Sequence, residues 1–149
     1  KYWKRVDITD HGALEDAITE FSPDIVIHMA ARTDLDGTSL EDYSSNIQGV
    51  KNMLEITNKV DSITKVMFAS SRLVCEIGYT PTDEFDYCAT TIYGESKVIG
   101  ERLVREFTGY TKKWIILRPT SIWGPWFDVP YKNFFTTVKN KRYRKKARK

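Results

Sequence analysis

Short β-branched runs alternate along this chain with longer stretches in which apolar residues return every three or four positions. Asp24–His28 (DIVIH), Thr64–Ser70 (TKVMFAS) and Lys113–Arg118 (KWIILR) are apolar runs of strand length, the pattern of buried strands. Between them, Gly12–Phe21 places Leu14, Ala17, Ile18 and Phe21 on one helical face. Thr38–Asn58 does the same with Leu40, Tyr43, Ile47, Val50 and Leu54. Thr91–Thr108 carries Ile92, Ile99, Leu103 and Phe107, and Gly109 is placed to stop it. Strands alternating with helices in this order predict an α/β domain, its parallel sheet joined by right-handed crossovers. In such sheets ligands bind beyond the carboxyl ends of the strands. Polar clusters stand there: His28–Arg32 after the first run, Ser70–Arg72 after the second and Pro119–Ser121 after the third. The connection from Cys75 to Thr91 is long, and long loops in compact domains are usually functional.

Length and charge narrow the picture. The 149 residues are enough for one domain, and 41% hydrophobic content excludes a disordered or collagen-like chain. The net charge of +3 divides unevenly. Residues 139–149 (KNKRYRKKARK) hold 8 of the 23 Lys+Arg and no acid, leaving 15 basic against 20 acidic residues before them. The body, 1–138, therefore carries −5 and the end +8, and the basic end reads as a disordered, solvated appendage. No apolar run approaches the roughly 18 residues of a membrane span, and no secretory signal is visible. Cys75 and Cys88 fit neither a disulfide framework nor a zinc ribbon, and His11 and His28 lie far apart. Two ordinary thiols, no metal site and a cytoplasmic location are expected.

The sharpest local chemistry is Tyr93-Gly-Glu-Ser-Lys97 at the start of a helix. The i, i+4 spacing puts phenol and ammonium on one face, where the cation would lower the phenol pKa and let Tyr93 exchange a proton with a substrate hydroxyl. Taken alone, such a pair is weak evidence and reads first as a solvated surface pair. Ser70-Ser71 could hold a substrate oxygen or simply cap a turn. The topology changes the balance, because three strand ends and the Tyr/Lys helix present polar groups toward one sheet edge.

In order along the chain stand Val6-Asp-Ile-Thr-Asp10, Asp24-Ile-Val-Ile-His-Met-Ala-Ala31, Asn46-Ile-Gln-Gly49 with Asn52, Phe68-Ala-Ser-Ser71 with Val74, Tyr93–Lys97, and Leu117-Arg-Pro119 with Gly124-Pro125. This series resembles the extended short-chain dehydrogenase/reductases, the NAD-dependent epimerase/dehydratases that act largely on nucleotide sugars. The resemblance implies a Rossmann-like, doubly wound parallel sheet that is incomplete here, with the first two strands missing. It implies Ser71 as the catalytic hydroxyl, Tyr93 as the acid/base and Lys97 as its partner on the nicotinamide ribose. Asp7 would lie near the adenine, Ala30, Ala31 and Arg32 along the dinucleotide, Asn46 in the polar network behind the site, Pro119 beside the nicotinamide and Ser121 near the substrate. The cofactor would be NAD or NADP, with NAD favoured, and the intact protein a homodimer acting on a nucleotide sugar.

The departures from the family pattern narrow this further. Dehydratases of the family carry an Asp-Glu pair where this chain has Arg72-Leu73, so a proton donor for eliminating water is missing and epimerase or reductase chemistry is favoured. Cys75 and Glu76 replace the usual aromatic and Gly, and Ser121 stands where several relatives have Asn. No G-x-x-G-x-x-G turn is present to hold a pyrophosphate at a helix N-terminus. An internal fragment of a larger domain is therefore expected, with weak or no NAD binding of its own, an exposed edge on the Ile25–His28 strand, and helix faces lacking part of their core. Two other readings stay open: a non-catalytic dimerising relative, and binding of nucleic acid or an acidic partner through residues 139–149. A single Tyr143 in that run is thin for base stacking, so nucleic acid is not the expected partner.

Overall fold

A computed structural model describes residues 3–122, 124 and 131–141, with Tyr131 through its backbone only. Helix α1 (His11–Phe21) is followed by β1 (Ile25–His28), α2 (Ser44–Lys59), β2 (Lys65–Ala69), α3 (Ile92–Glu106), β3 (Lys113–Leu117) and α4 (Tyr131–Lys139). The three strands form one parallel sheet in the order β1-β2-β3, with Val26 beside Val66 beside Trp114 and His28 beside Phe68 beside Ile116. Each expected strand appears within a residue of its predicted ends.

The helix ends follow local chemistry. Asp10 caps α1 by accepting from the Ala13 N–H, and Thr91 caps α3 by accepting from the Gly94 N–H. Gly109 sits at φ +77°, just past the end of α3, as its stop role requires. The expected helix from Thr38 begins later. The Asp42 carboxylate accepts from the Thr38 and Ser39 N–H groups at 2.8 and 3.0 Å, which holds that segment in a turn. A single tight turn, Glu41–Tyr43, then leads into α2. Helix α4, unforeseen from the pattern, ends at Lys139, the first residue of the basic run; residues 142–149 of that run lie outside the described residues.

Because side chains alternate across a strand, the sheet has two unlike faces. On one, Val66 and Phe68 join Leu14, Val50, Met53, Leu54, Ile56, Ile63 and Val104 in the main core, so α2 and α3 pack on each other and on the sheet. On the other, Ile25, Ile27, Ile115 and Leu117 are exposed. Among the described residues β1 has no partner on its outer edge, as expected. The uncovered apolar surface, however, belongs to the sheet, since the apolar faces of α2 and α3 have found each other.

This division can be tested by truncation. Leu54, 1% exposed, should cost about 2–5 kcal/mol on change to alanine. Ile27, 58% exposed, should change stability by no more than about 0.5 kcal/mol. Urea unfolding midpoints compare the two.

Candidate active site

At the carboxyl end of the sheet lies an open cleft of about 350 Å³. Its lining includes Ala31 from the segment after β1, Ser70 and Ser71 after β2, Tyr93 and Lys97 from α3, and Pro119 and Ser121 after β3. Six residues singled out in the sequence, Ala31, Ser71, Tyr93, Lys97, Pro119 and Ser121, are thus brought to one place.

The approach of α3 to β2 makes this possible, and Gly94 permits it. A Cβ at Gly94 would collide with the backbone carbonyl oxygen of Leu73. Only a residue without one lets the first turn of α3 lie against the turn Arg72–Val74, which Ser71 caps by accepting from the Leu73 N–H at 3.1 Å. The Ser71 hydroxyl then lies near enough to the Tyr93 phenol to favour its ionised form. One turn further along, the Lys97 ammonium donates to the Ala69 carbonyl at 3.0 Å, anchoring α3 to the last residue of β2.

Electrostatics here differ from the simple expectation for a Tyr/Lys pair. Burial raises the Tyr93 pKa above its ordinary value; the hydrogen bond with Ser71 works against this and the field of Tyr43 adds to it. The expected lowering by Lys97 is not what the structure shows. Lys97 is 8% exposed, and its ammonium lies 5.9 Å from the centre of the Tyr93 ring and is directed to the Ala69 carbonyl. Burial brings Lys97 itself down from 10.5 to about 8, so its charge is close to titrating at physiological pH. His28, buried at the end of β1 with its ring edge-on to Phe68, falls from 6.5 to about 4 through burial and then through Lys97.

Asn46 is 2% exposed, which excludes a solvated helix residue. Its Oδ1 accepts from the Arg32 N–H at 2.8 Å, and its Nδ2 donates to the Arg32 carbonyl and to the Ser96 hydroxyl, both at 3.0 Å. It thereby fixes the segment after β1 against α3. With Ser70, Lys97 and Glu101 it also borders a void of about 20 Å³ beneath the cleft, room for one water.

Three other sequence candidates stand apart from the cleft lining. The Arg32 guanidinium pairs with Asp34 and lies over the Tyr43 ring, 5.2 Å from its centre. Ala30 is exposed. The Asp7 carboxylate accepts from the Thr9 N–H and hydroxyl, both at 2.8 Å, closing a local turn.

A supporting network escaped the sequence reading. Glu101, 2% exposed, accepts from Arg118 Nε at 2.8 Å and Nη2 at 2.7 Å, from Ser70 Oγ at 2.6 Å and from the Tyr87 hydroxyl at 3.1 Å. Burial opposes its ionisation, but the bonds from Arg118, Ser70 and Tyr87 together hold its pKa below the ordinary value. One carboxylate thus ties α3 to the residues that follow β2 and end β3. The signal was available: Tyr93, Lys97 and Glu101 stand at successive i+4 steps, a polar stripe on a helix face otherwise committed to packing.

The fold and site define a Rossmann-like α/β domain with a Tyr/Lys/Ser cluster at the carboxyl edge of its parallel sheet. The profile of the NAD dependent epimerase/dehydratase family matches residues 2–148, and the chain belongs to that family. It is 32% identical over 125 residues to human UDP-glucose 4-epimerase, covering 78% of this chain and 35% of that protein. Among solved structures, UDP-glucose 4-epimerase from Thermus thermophilus in complex with NAD superposes with a TM-score of 0.64 at 29% identity, covering 76% of this chain and 39% of the other. The dTDP-4-dehydrorhamnose reductase from Bacillus anthracis in complex with NADP gives 0.75 at 28% identity, covering 91% and 48%. The chain spans about a third of the length of the curated relatives it matches first.

Two outcomes follow for this site. Gly94→Ala should lower the urea midpoint, against the ~1 kcal/mol gain that an unobstructed helical Gly→Ala gives. For His28, the unfolded chain takes a proton near pH 6.5 that the folded chain takes only near 4. The unfolded state therefore binds more protons in that window, and stability falls as pH drops through it, by on the order of 3 kcal/mol from this group. Unfolding of His28→Gln at a series of pH values should lack that part of the acid loss.

Proposed function

We propose that the cleft serves hydride transfer at a sugar carbon, with Tyr93 as acid/base, Ser71 holding the substrate oxygen and Lys97 as the neighbouring cation. The observation that carries this is the convergence of the Ser71 hydroxyl, the Tyr93 phenol and the Lys97 ammonium on one cleft at the carboxyl edge of a parallel sheet. The relatives' complexes with NAD and NADP support a nicotinamide dinucleotide as cofactor, with NAD favoured.

The residues suit one end of such a cofactor. Lys97 has three ammonium hydrogens and gives one to Ala69, leaving donors for ribose hydroxyls in the same cleft. Pro119 offers an apolar surface to the ring. When bound, the nicotinamide supplies the acceptor and donor of hydride. The protein's part is the proton. Tyr93 takes it from the substrate hydroxyl as the carbon gives up hydride, and returns it in the reverse step. Burial favours the neutral phenol, and the Ser71 hydroxyl is what offsets part of the cost of the phenolate. The Arg72 guanidinium donates to the Tyr79 carbonyl, and neither Arg72 nor Leu73 can supply a carboxylic proton. Epimerisation or carbonyl reduction of a nucleotide sugar therefore fits better than elimination of water.

The test is turnover of UDP-glucose with NAD by a version extended to the length of the relatives, the 149-residue chain alone being expected to be inactive, followed by separation of the sugar epimers. Tyr93→Phe should lower the rate about 10²–10⁴-fold, the range for loss of a positioned acid/base. Turnover that survives this change at the wild-type rate overturns the assignment of Tyr93.

A further inference from the structure

Cys75 and Cys88 stand at the two ends of the long loop beside the cleft, and the fold pairs them directly. Cys75 leaves the Ser71-capped turn in extended backbone, φ −129° and ψ 156°. It forms an isolated parallel β-bridge with Cys88, supported by the Cys88 N–H donating to the Val74 carbonyl at 3.0 Å. Neighbouring strands lie about 4.8 Å apart, inside the roughly 4.4–6.8 Å Cα separation that disulfides span. Bridge partners also direct their side chains to the same side of the pleat.

The loop between them is closed on itself by Tyr79, whose hydroxyl donates to the Asp86 carboxylate at 2.9 Å. The Tyr79 phenol keeps its proton first through its bond to Asp86, then through burial, and further through the fields of both Cys88 and Cys75. Both thiols are free, with Cys75 buried and Cys88 half-buried, and Cys75 Sγ donates to the Asp86 carbonyl at 3.3 Å.

We infer that Cys75 and Cys88 are a reversible redox pair whose disulfide closes across this bridge and staples the loop 76–87 at its base. The oxidant is a low-molecular-weight disulfide. The more accessible Cys88 thiolate attacks one of its sulfurs, forming a mixed disulfide and expelling one small thiolate. The Cys75 thiolate, its proton released to solvent, then attacks the Cys88 sulfur and expels the second. Two protein thiols are oxidised to one disulfide, and the small disulfide is reduced to two thiols. Ser71 lies just before Cys75 and Tyr93 just after Cys88, so the bond fixes the chain between the two hydroxyls of the cleft. This holds whatever reaction the cleft performs.

The full chain is incubated with oxidised glutathione, blocked with N-ethylmaleimide and weighed by mass spectrometry, intact and after digestion. Wild type should lose both free thiols, fall in mass by two hydrogens, retain no glutathione and yield a linked Cys75–Cys88 peptide. Cys75→Ser should retain one glutathione, on Cys88, and Cys88→Ala should leave the buried Cys75 open only to slow modification. Wild type held in urea supplies a comparison free of any folding defect in the variants, and should form the linked peptide more slowly. The inference is overturned if folded wild type keeps a glutathione on Cys88 or keeps both thiols free. Linkage between chains, or linkage no faster than in urea, overturns it equally.

Discussion

The ammonium of a lysine that is only 8% exposed must find an acceptor, and in this protein the acceptor is the carbonyl of Ala69 at the last residue of β2. Most of the site depends on that bond. It sets the height of α3 above the sheet and so the position of Tyr93 one turn earlier. The bond also draws the ammonium away from a simple pairing with the phenol. Burial is then felt by Tyr93, Lys97 and His28 in the same sense: the phenol holds its proton, while the two bases give theirs up more readily. For Lys97 the unfolded chain binds more protons between about 8 and 10.5, so the cost of burying the ammonium weighs at neutral pH and is relieved as pH rises through that window.

Two contacts carry the approach that Lys97 anchors. Gly94 removes the side chain that would strike the Leu73 carbonyl, and Glu101 holds Ser70 and Arg118 from below. A buried carboxylate lacking either partner would carry a large desolvation cost, so the network stands or falls together. Asn46 performs the matching task on the other flank, binding both backbone groups of Arg32. The cleft is therefore walled by residues whose positions are set by hydrogen bonds to backbone and by the ion pairs and hydrogen bonds of Glu101. The apolar core formed by α1, α2, α3 and one face of the sheet supplies the support beneath them.

Much of this was legible in the sequence because the period of apolar residues is a local property. DIVIH, TKVMFAS and KWIILR have the length and composition of buried strands, and the three-and-four spacing after Gly12, within 38–58 and after Thr91 is that of helices. The start of α2 was misplaced because the Asp42 carboxylate competes for the N–H groups of Thr38 and Ser39, an exchange invisible to periodicity. Spacing on one helix face drew notice to Tyr93 and Lys97, and place after a strand to Ser71, but only the resemblance to a family gave the three their roles. Glu101 was overlooked because a charged residue on a helix usually faces water, and its buried partners, Ser70 and Arg118, come from distant parts of the chain.

Residue types and their spacing determined a parallel α/β domain with polar groups gathered at one sheet edge, and the ordered motifs carried its resemblance to the epimerase/dehydratase family. Only the tertiary structure decided which way each polar group faces. It turned Lys97 toward Ala69, Arg32 toward Asp34 and Asp7 toward Thr9, and it set Cys75 beside Cys88. The reason is that burial and hydrogen-bond partners, which set a side chain's direction and its proton affinity, belong to residues far apart in sequence and exist only once the chain has folded.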